Sequence, residues 1–266
     1  NTLTIGISQS GETKDTLDAL MDAKKYDSHI SSICNVIGST IARFTGNGAY
    51  LYAGPEYAVA STKVFMNMMA VGLMFALTIS DISDDDQASI VKEIRKLPNL
   101  ISKQLQDNTE VIKDASEMIS KSKSPIFIGR GGLSSYMAQE GALKMMEISY
   151  IPCLSLPGGE LKHGPIALLE NNSPVIAVAP KDSYLRLTES SIRECKSRGA
   201  KIILITDDKG PICKFSDYLI KTLASHPDLS PFINIIPLQL LAYQTGIERN
   251  CNIDRPRNLA KSVTVV

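Results

Sequence analysis

Nothing in this chain pairs its cysteines. The five of them, Cys34, Cys153, Cys195, Cys213 and Cys251, are odd in number and widely scattered. That pattern argues against a disulfide framework and against a zinc cluster. Most lie among apolar residues and read as small buried hydrophobes, which makes a reducing cytoplasm the expected compartment. Net charge is lacking too, with 28 basic against 28 acidic side chains. Such a balance sets up no field that would recruit nucleic acid or an anionic membrane. No apolar run reaches the length of about 18 residues that a membrane span requires. The nearest, Val64–Ile79, is broken by Asn67 and too short, so a buried core helix is expected there. The first residues, NTLTIGISQSGE, have neither the basic nor the apolar region of a signal peptide.

What is present is an alternation of short apolar runs with longer helical patterns. The 266 residues, 44% of them hydrophobic, suffice for one large or two modest cores. Strands are predicted at Leu3–Ser8, Ser31–Val36 and Ala49–Ala53, with helices over Thr13–Lys25, Ser39–Phe44 and Ser61–Ile79. The polar stretch from Ser83 to Lys121 reads as two amphipathic helices. The alternation then restarts, with strands at Pro125–Gly129, Pro174–Ala179, Lys201–Thr206 and Tyr218–Thr222 and helices over Leu133–Ser149, Leu185–Ser197 and Phe232–Glu248. Strands alternating with helices imply parallel sheets covered on both faces. The expected fold class is therefore α/β, with two doubly wound units. Residues 1–84 form the first, 85–118 a helical connection, 119–250 the second and 251–266 a tail. The first unit has fewer strands than such a layer normally needs, so a missing upstream segment is expected.

Five stretches carry chemistry. Ser8, Gln9, Ser10, Gly11, Glu12 and Thr13 join a strand to a helix. Ligands bind outside the carboxyl ends of strands in open α/β sheets, and a helix start offers free N–H groups. Three hydroxyls and a glycine there favour a phosphate cradle over the alternative, an ordinary cap with Ser10 at its head. Val59, Ala60, Ser61, Thr62 and Lys63 open the apolar helix and read either as a plain cap or as an anion site. Glu140, Lys144 and Glu147 share one helix face. They form either a solvated salt-bridge stripe or a carboxylate base, Glu147, whose charge environment Lys144 sets. Pro157–Pro165 (PGGELKHGP) is a Gly/Pro-framed loop presenting His163 beside Lys162 and Glu160, so His163 is a candidate for acid–base work. The tail DRPRNLAKS is either a frayed basic end or part of a site.

In their order and spacing, SQSGET, VASTK, EGALK..EIS, GELKHGP and PRNLAKSVTV resemble the isomerase half of the glutamine–fructose-6-phosphate aminotransferases, from about Leu3 to Val265. SQSGET alone suggests only a sugar isomerase (SIS) fold; the last two motifs are more specific. The resemblance implies two SIS-type, flavodoxin-like layers, the first incomplete. It implies that Ser8, Gln9, Ser10 and Thr13 hold a sugar phosphate, and that Ser61, with the backbone of Val59 and Ala60, contacts the sugar. It implies Glu147 as the base between C1 and C2, with Lys144 beside it. His163 would open the sugar ring from the partner subunit of a homodimer, and Lys261 would meet the open-chain carbonyl as an imine. Isomerisation of this kind needs a base, a carbonyl donor and an anchored phosphate, and requires no metal or other cofactor.

Three departures accompany the resemblance. These residues include no counterpart of the family's glutaminase domain, so glutamine hydrolysis is not expected from them alone. The family's Cys-Gly-Thr-Ser stretch is also absent, and the chain ends in Val266 where the family usually has Glu. Two other readings stand beside this one: another SIS isomerase or deglycase, which the GELKHGP and NLAKSVTV motifs disfavour, and a non-catalytic sugar-phosphate module, which would not need Glu147, His163 and Lys261 together.

Overall fold

The computed structural model describes residues 2–261. These divide into two compact units, residues 2–84 with 257–261, and residues 85–256.

The first unit is a three-stranded parallel sheet in the order β1 (Leu3–Ser8), β2 (His29–Cys34), β3 (Gly48–Tyr50). The connections are α1 (Lys14–Lys25) and α2 (Thr40–Thr45), and α3 (Lys63–Ile79) follows β3. Leu20, Cys34 and Ile41 form one small core, while Ile33, Leu51 and Val64 form another. The sequence pattern places β2 and β3 a little late, because it follows apolar residues that continue past the paired register. Helix α3 corrects the expectation of a core helix. Only Val64 and Leu77 are fully buried, and Met74 and Ile79 are exposed. A sheet of three short strands offers too little area to cover all sides of a helix this apolar.

The second unit begins with three helices where the sequence suggested two: α4 (Asp84–Ile94), α5 (Leu97–Gln104) and α6 (Thr109–Ser120). Pro98 explains the first break, since it has no N–H to continue the bonding of α4 and fits the first turn of a new helix, where that N–H would have no partner. Asn108, in the left-handed region at φ 67°, makes the second. Then come β4 (Ile126–Gly129), α7 (Gly131–Ser149), β5 (Leu154–Pro157), β6 (Pro174–Val178), α8 (Leu185–Lys196), β7 (Lys201–Thr206), β8 (Tyr218–Lys221) and α9 (Ser230–Glu248). The sheet is parallel throughout in the order β5-β4-β6-β7-β8, the 2-1-3-4-5 order of flavodoxin-like layers. Strand β5 has no counterpart among the expected strands. Pro152 precedes it and Pro157 is its last residue, and this punctuation masks the pattern.

Apolar runs bury both faces of the central strands. Every residue of β4 and β6 is buried, as are Ile202, Ile203, Leu204 and Ile205 of β7. Helix α9 packs against α5, α6 and α7 and is buried along most of its length, which accommodates Pro237 within it. No helix among the described residues is long and apolar enough to cross a membrane.

The edge strand β8 is sealed by side chains. Gln104 donates to the Lys221 carbonyl at 3.2 Å and accepts from the Leu223 N–H at 2.9 Å. Asn108 donates to the Lys221 carbonyl at 2.8 Å and accepts from the Lys221 N–H at 3.1 Å. Gln104 is 1% exposed, so truncation leaves buried backbone groups unpaired. Gln104→Ala should lower the unfolding free energy by about 1–3 kcal/mol, read as a reduced urea midpoint with an unchanged slope.

Candidate functional site

The turn after β1 is built from its own hydroxyls. The Ser8 and Thr13 hydroxyls lie 2.8 Å apart, the Gly11 N–H donates to Ser8 Oγ at 3.0 Å, and the Glu12 N–H donates to Ser10 Oγ at 3.1 Å. Gly11 has φ 66°, and a Cβ there would fall 1.9 Å from Ser39 Oγ, so only glycine fits. Ser10 therefore shapes the turn and does not cap α1, contrary to the plainer reading of this stretch. Thr13 occupies the cap position and makes no side-chain bond to the helix N–H groups.

The neighbouring helix starts are treated differently. The Thr40 N–H of α2 donates to Glu12 Oε1 at 2.9 Å, and those Thr40 hydrogen bonds hold the Glu12 carboxyl below its ordinary value. At α3, Glu56 Oε1 accepts from the Thr62 N–H at 2.8 Å and from the Val64 N–H at 3.4 Å. Neither Ser61 nor Thr62 caps α3, as the sequence had suggested; Glu56 does so from outside the helix. A carboxylate thus sits at the mouths of α2 and α3, and α1 has no side-chain cap.

Lys261 returns to this region. Its Nζ donates to Glu56 Oε2 at 2.7 Å, to the Ala58 carbonyl at 2.8 Å and to the Val59 carbonyl at 3.4 Å. Ser61 Oγ donates to the same Glu56 oxygen at 3.0 Å. Burial pushes the Glu56 carboxyl up, but the bonds from Lys261, Thr62 and Ser61 outweigh it, and the net displacement is downward. Lys261, Val59, Ala60 and Ser61 are therefore brought together, and a frayed end is not what is found at Lys261. The rest of the SVTV ending lies outside the described residues. Asn35 ties this cluster to the first turn. Its N–H donates to the Gln9 carbonyl at 3.2 Å, its amide donates to the Gly54 carbonyl at 2.9 Å, and its side-chain oxygen accepts from the Ala53 N–H at 3.0 Å.

In the second unit, Lys144 is 5% exposed, with its Nζ 2.8 Å from Glu147 Oε2 and 3.3 Å from Glu140 Oε1. The solvated-stripe reading of this face is excluded: it is a largely buried triad on α7. Burial raises the Glu140 carboxyl above its ordinary value against the pull of Lys144, with Glu147 adding to the rise. His163 ends a short 3-10 turn, Glu160–His163, anchored by fully buried Leu161, and its side chain is exposed. Among the described residues no hydrogen bond joins His163 to Glu147.

Sequence reasoning missed Glu56 and Asn35. A signal for Glu56 existed: it is the only charged residue between Arg43 and Lys63. Asn35 carried none, because its role depends on which loops the sheet brings side by side.

A three-strand and a five-strand parallel layer, with a polar turn at the carboxyl end of β1, make this an α/β protein of the class that binds ligands beyond the ends of its strands. The chain belongs to the SIS domain family, whose model matches residues 1–78 and 118–249. It is 44% identical over 269 residues to a glutamine–fructose-6-phosphate aminotransferase (isomerizing) of Methanosarcina acetivorans, covering 99% of this chain and 43% of that protein. It is 42% identical to the protein of that name from Caldanaerobacter subterraneus, covering 44% of it. The chain thus spans less than half the length of these curated relatives. Among solved structures, the C-terminal domain of glucosamine-fructose-6-phosphate aminotransferase from Francisella tularensis superposes with a TM-score of 0.89 at 38% identity, covering 96% of this chain and 73% of that one. A tagatose-6-phosphate ketose/aldose isomerase from Clostridium novyi gives a TM-score of 0.84 at 21% identity, a likeness of fold alone.

The raised Glu140 carboxyl has a consequence for pH. The folded chain holds that proton more firmly than the unfolded chain, so stability falls as pH rises from the ordinary carboxylate value through the raised one. Glu140→Gln removes this dependence. Its stability relative to wild type should improve as pH rises above the ordinary carboxylate value, as measured by urea unfolding at a series of pH values.

Proposed function

We propose that this chain is the sugar-phosphate isomerising part of a glutamine–fructose-6-phosphate aminotransferase, acting on fructose 6-phosphate in amino-sugar synthesis in the cytoplasm. One observation carries the reading furthest. The Lys261 amine is held against the Val59–Ser61 stretch, and Asn35 links the Gln9 carbonyl of the Ser8–Thr13 turn to the Ala53–Gly54 segment a few residues before that stretch. An amine for a carbonyl and an anion cradle thus lie within one small unit.

In this reading Ser8, Gln9, Ser10 and Thr13 hold the phosphate at the uncapped start of α1, where the helix dipole and free N–H groups favour an anion. Backbone at Val59 and Ala60, with the Ser61 hydroxyl, holds the sugar. Lys261 bonds to the open-chain C2 carbonyl as an imine, which makes the C1 proton more acidic. Ammonia then replaces the Lys261 nitrogen on C2 and frees the lysine amine, and Glu147 takes the C1 proton and returns it to C2, which leaves an amine at C2 and an aldehyde at C1, with the original C2 oxygen lost as water. Its neighbour Lys144, with Nζ 2.8 Å from Glu147 Oε2, sets the charge environment of that carboxyl group. His163, supplied by the partner subunit of a homodimer, opens the ring. Phosphate binding far from the reacting carbons supplies the energy that orients them. A glutaminase domain elsewhere in the whole protein delivers ammonia.

A ligand that binds only the native state must stabilise it. Fructose 6-phosphate should raise the melting temperature of this chain, and the Ser8→Ala/Thr13→Ala double variant, folded by circular dichroism, should lose that rise. An unchanged shift in the double variant would remove the turn from phosphate binding. In the whole protein, Glu147→Gln should abolish conversion of fructose 6-phosphate to glucose 6-phosphate while leaving binding intact, and retained conversion would take the base role from Glu147.

A further inference from the structure

Glu56 serves two partners with separate oxygens. Oε1 accepts from the α3 N–H groups of Thr62 and Val64, while Oε2 accepts from Lys261 Nζ and Ser61 Oγ. The carboxylate side chain is only 4% exposed, so solvent does little to weaken its interactions. An ammonium group has three donors, and here Glu56, Ala58 and Val59 take all three. Of these partners only Glu56 is charged.

We infer that Glu56 is a positioning residue that seats the 257–261 segment by gripping Lys261 and presents that amine beside Val59 and Ser61. The inference rests on the imine reading above only for its chemical meaning; the seating itself needs no sugar. In imine formation the Lys261 ammonium first gives up a proton to free its lone pair, and the nitrogen bonds the carbonyl carbon. The carbonyl oxygen takes up that proton and a second one from the nitrogen and leaves as water, and the positive charge returns on the iminium. Glu56 therefore faces one positive charge both before and after the step, and the nitrogen retains an N–H for it throughout. A neutral side chain at position 56 caps α3 equally well but holds neither charged form.

Glu56→Gln separates the two roles, because the amide oxygen still accepts from the Thr62 N–H. The melting temperature is expected to stay within a few degrees of wild type. Trypsin needs a free lysine side chain, so cleavage after Lys261 in the full chain should be slow compared with cleavage after exposed Lys209. Glu56→Gln should speed cleavage after Lys261 about tenfold, the scale of losing one charge-assisted hydrogen bond, with the Lys209 site unchanged. Glu56→Asp keeps the charge one methylene shorter and should fall between the two; it carries the test if the glutamine variant melts early. Cleavage after Lys261 at the wild-type rate in folded Glu56→Gln would overturn the inference.

Borohydride reduction with fructose 6-phosphate, read as the mass added to the Lys261 peptide, supplies the second arm. Trapping should drop about tenfold in Glu56→Gln, while the melting shift given by the sugar phosphate remains. Equal trapping in both proteins would overturn the positioning role. Trapping in neither would count against the imine reading of Lys261 and would leave the proteolysis result to decide the seating.

Discussion

Every crossover helix in a parallel sheet starts with N–H groups that no earlier turn can satisfy, and the first unit disposes of those groups in two ways. The start of α2 receives the Glu12 carboxylate, and the start of α3 receives that of Glu56. The start of α1 receives no side chain of its own cap residue, because Thr13 turns its hydroxyl toward Ser8. The start of α1 is thus the one whose N–H groups no side chain caps, and the hydroxyls of Ser8, Ser10 and Thr13 surround it, while the Asp15 carboxylate lies in its first turn. This difference among three helix mouths gives the proposed phosphate site its physical basis.

Charge burial follows a different logic in the second unit. A lysine as enclosed as Lys144 would be costly to keep unless opposite charges surrounded it, and the two carboxylates at 2.8 and 3.3 Å do so. Three ionisable groups enclosed on one helix contribute little net stability compared with apolar residues of the same size. Their presence on a helix that is otherwise packed with Ala, Met and Ile fits a role beyond packing. The Gly/Pro-framed loop that carries His163 has a separate anchor, since Leu161 is buried in the same core cluster as Ile128 and Leu204. The loop is fixed by Leu161 and by the bonds of Gly158 to Gly129 and Ser191, and its side chains Glu160, Lys162 and His163 are exposed.

Much of the architecture was legible because parallel strands buried on both faces read as unbroken apolar runs, as in KIILIT and PVIAV. Strand β5 was not legible, since its short LSLP run lacks branched residues and sits between prolines. The third helix of the polar stretch was marked by Pro98, but periodicity alone does not separate one bent helix from two. For the candidate site, the hydroxyl turn and the tail lysine stood out by residue type. Glu56 stood out only as the lone charge between Arg43 and Lys63, and Asn35 did not stand out, because it works by reaching loops that only the sheet brings beside it. Glu140 shared its face with Lys144 in the sequence pattern, yet burial, which decides whether that face is a solvated stripe or an enclosed triad, depends on the helices packed around α7.

The amide clamp on β8 bears on how this chain behaves among its own copies. An unpaired strand border is an invitation to intermolecular β-pairing, and proteins blunt it with charges, bulges or coverings. Here two side-chain amides imitate the backbone of an absent neighbour, occupying both polar groups of Lys221 and the N–H of Leu223. At that border the five-stranded layer offers those groups to no passing polypeptide, so its growth into a fibril-like stack is blocked by two residues that lie more than a hundred positions away in the chain.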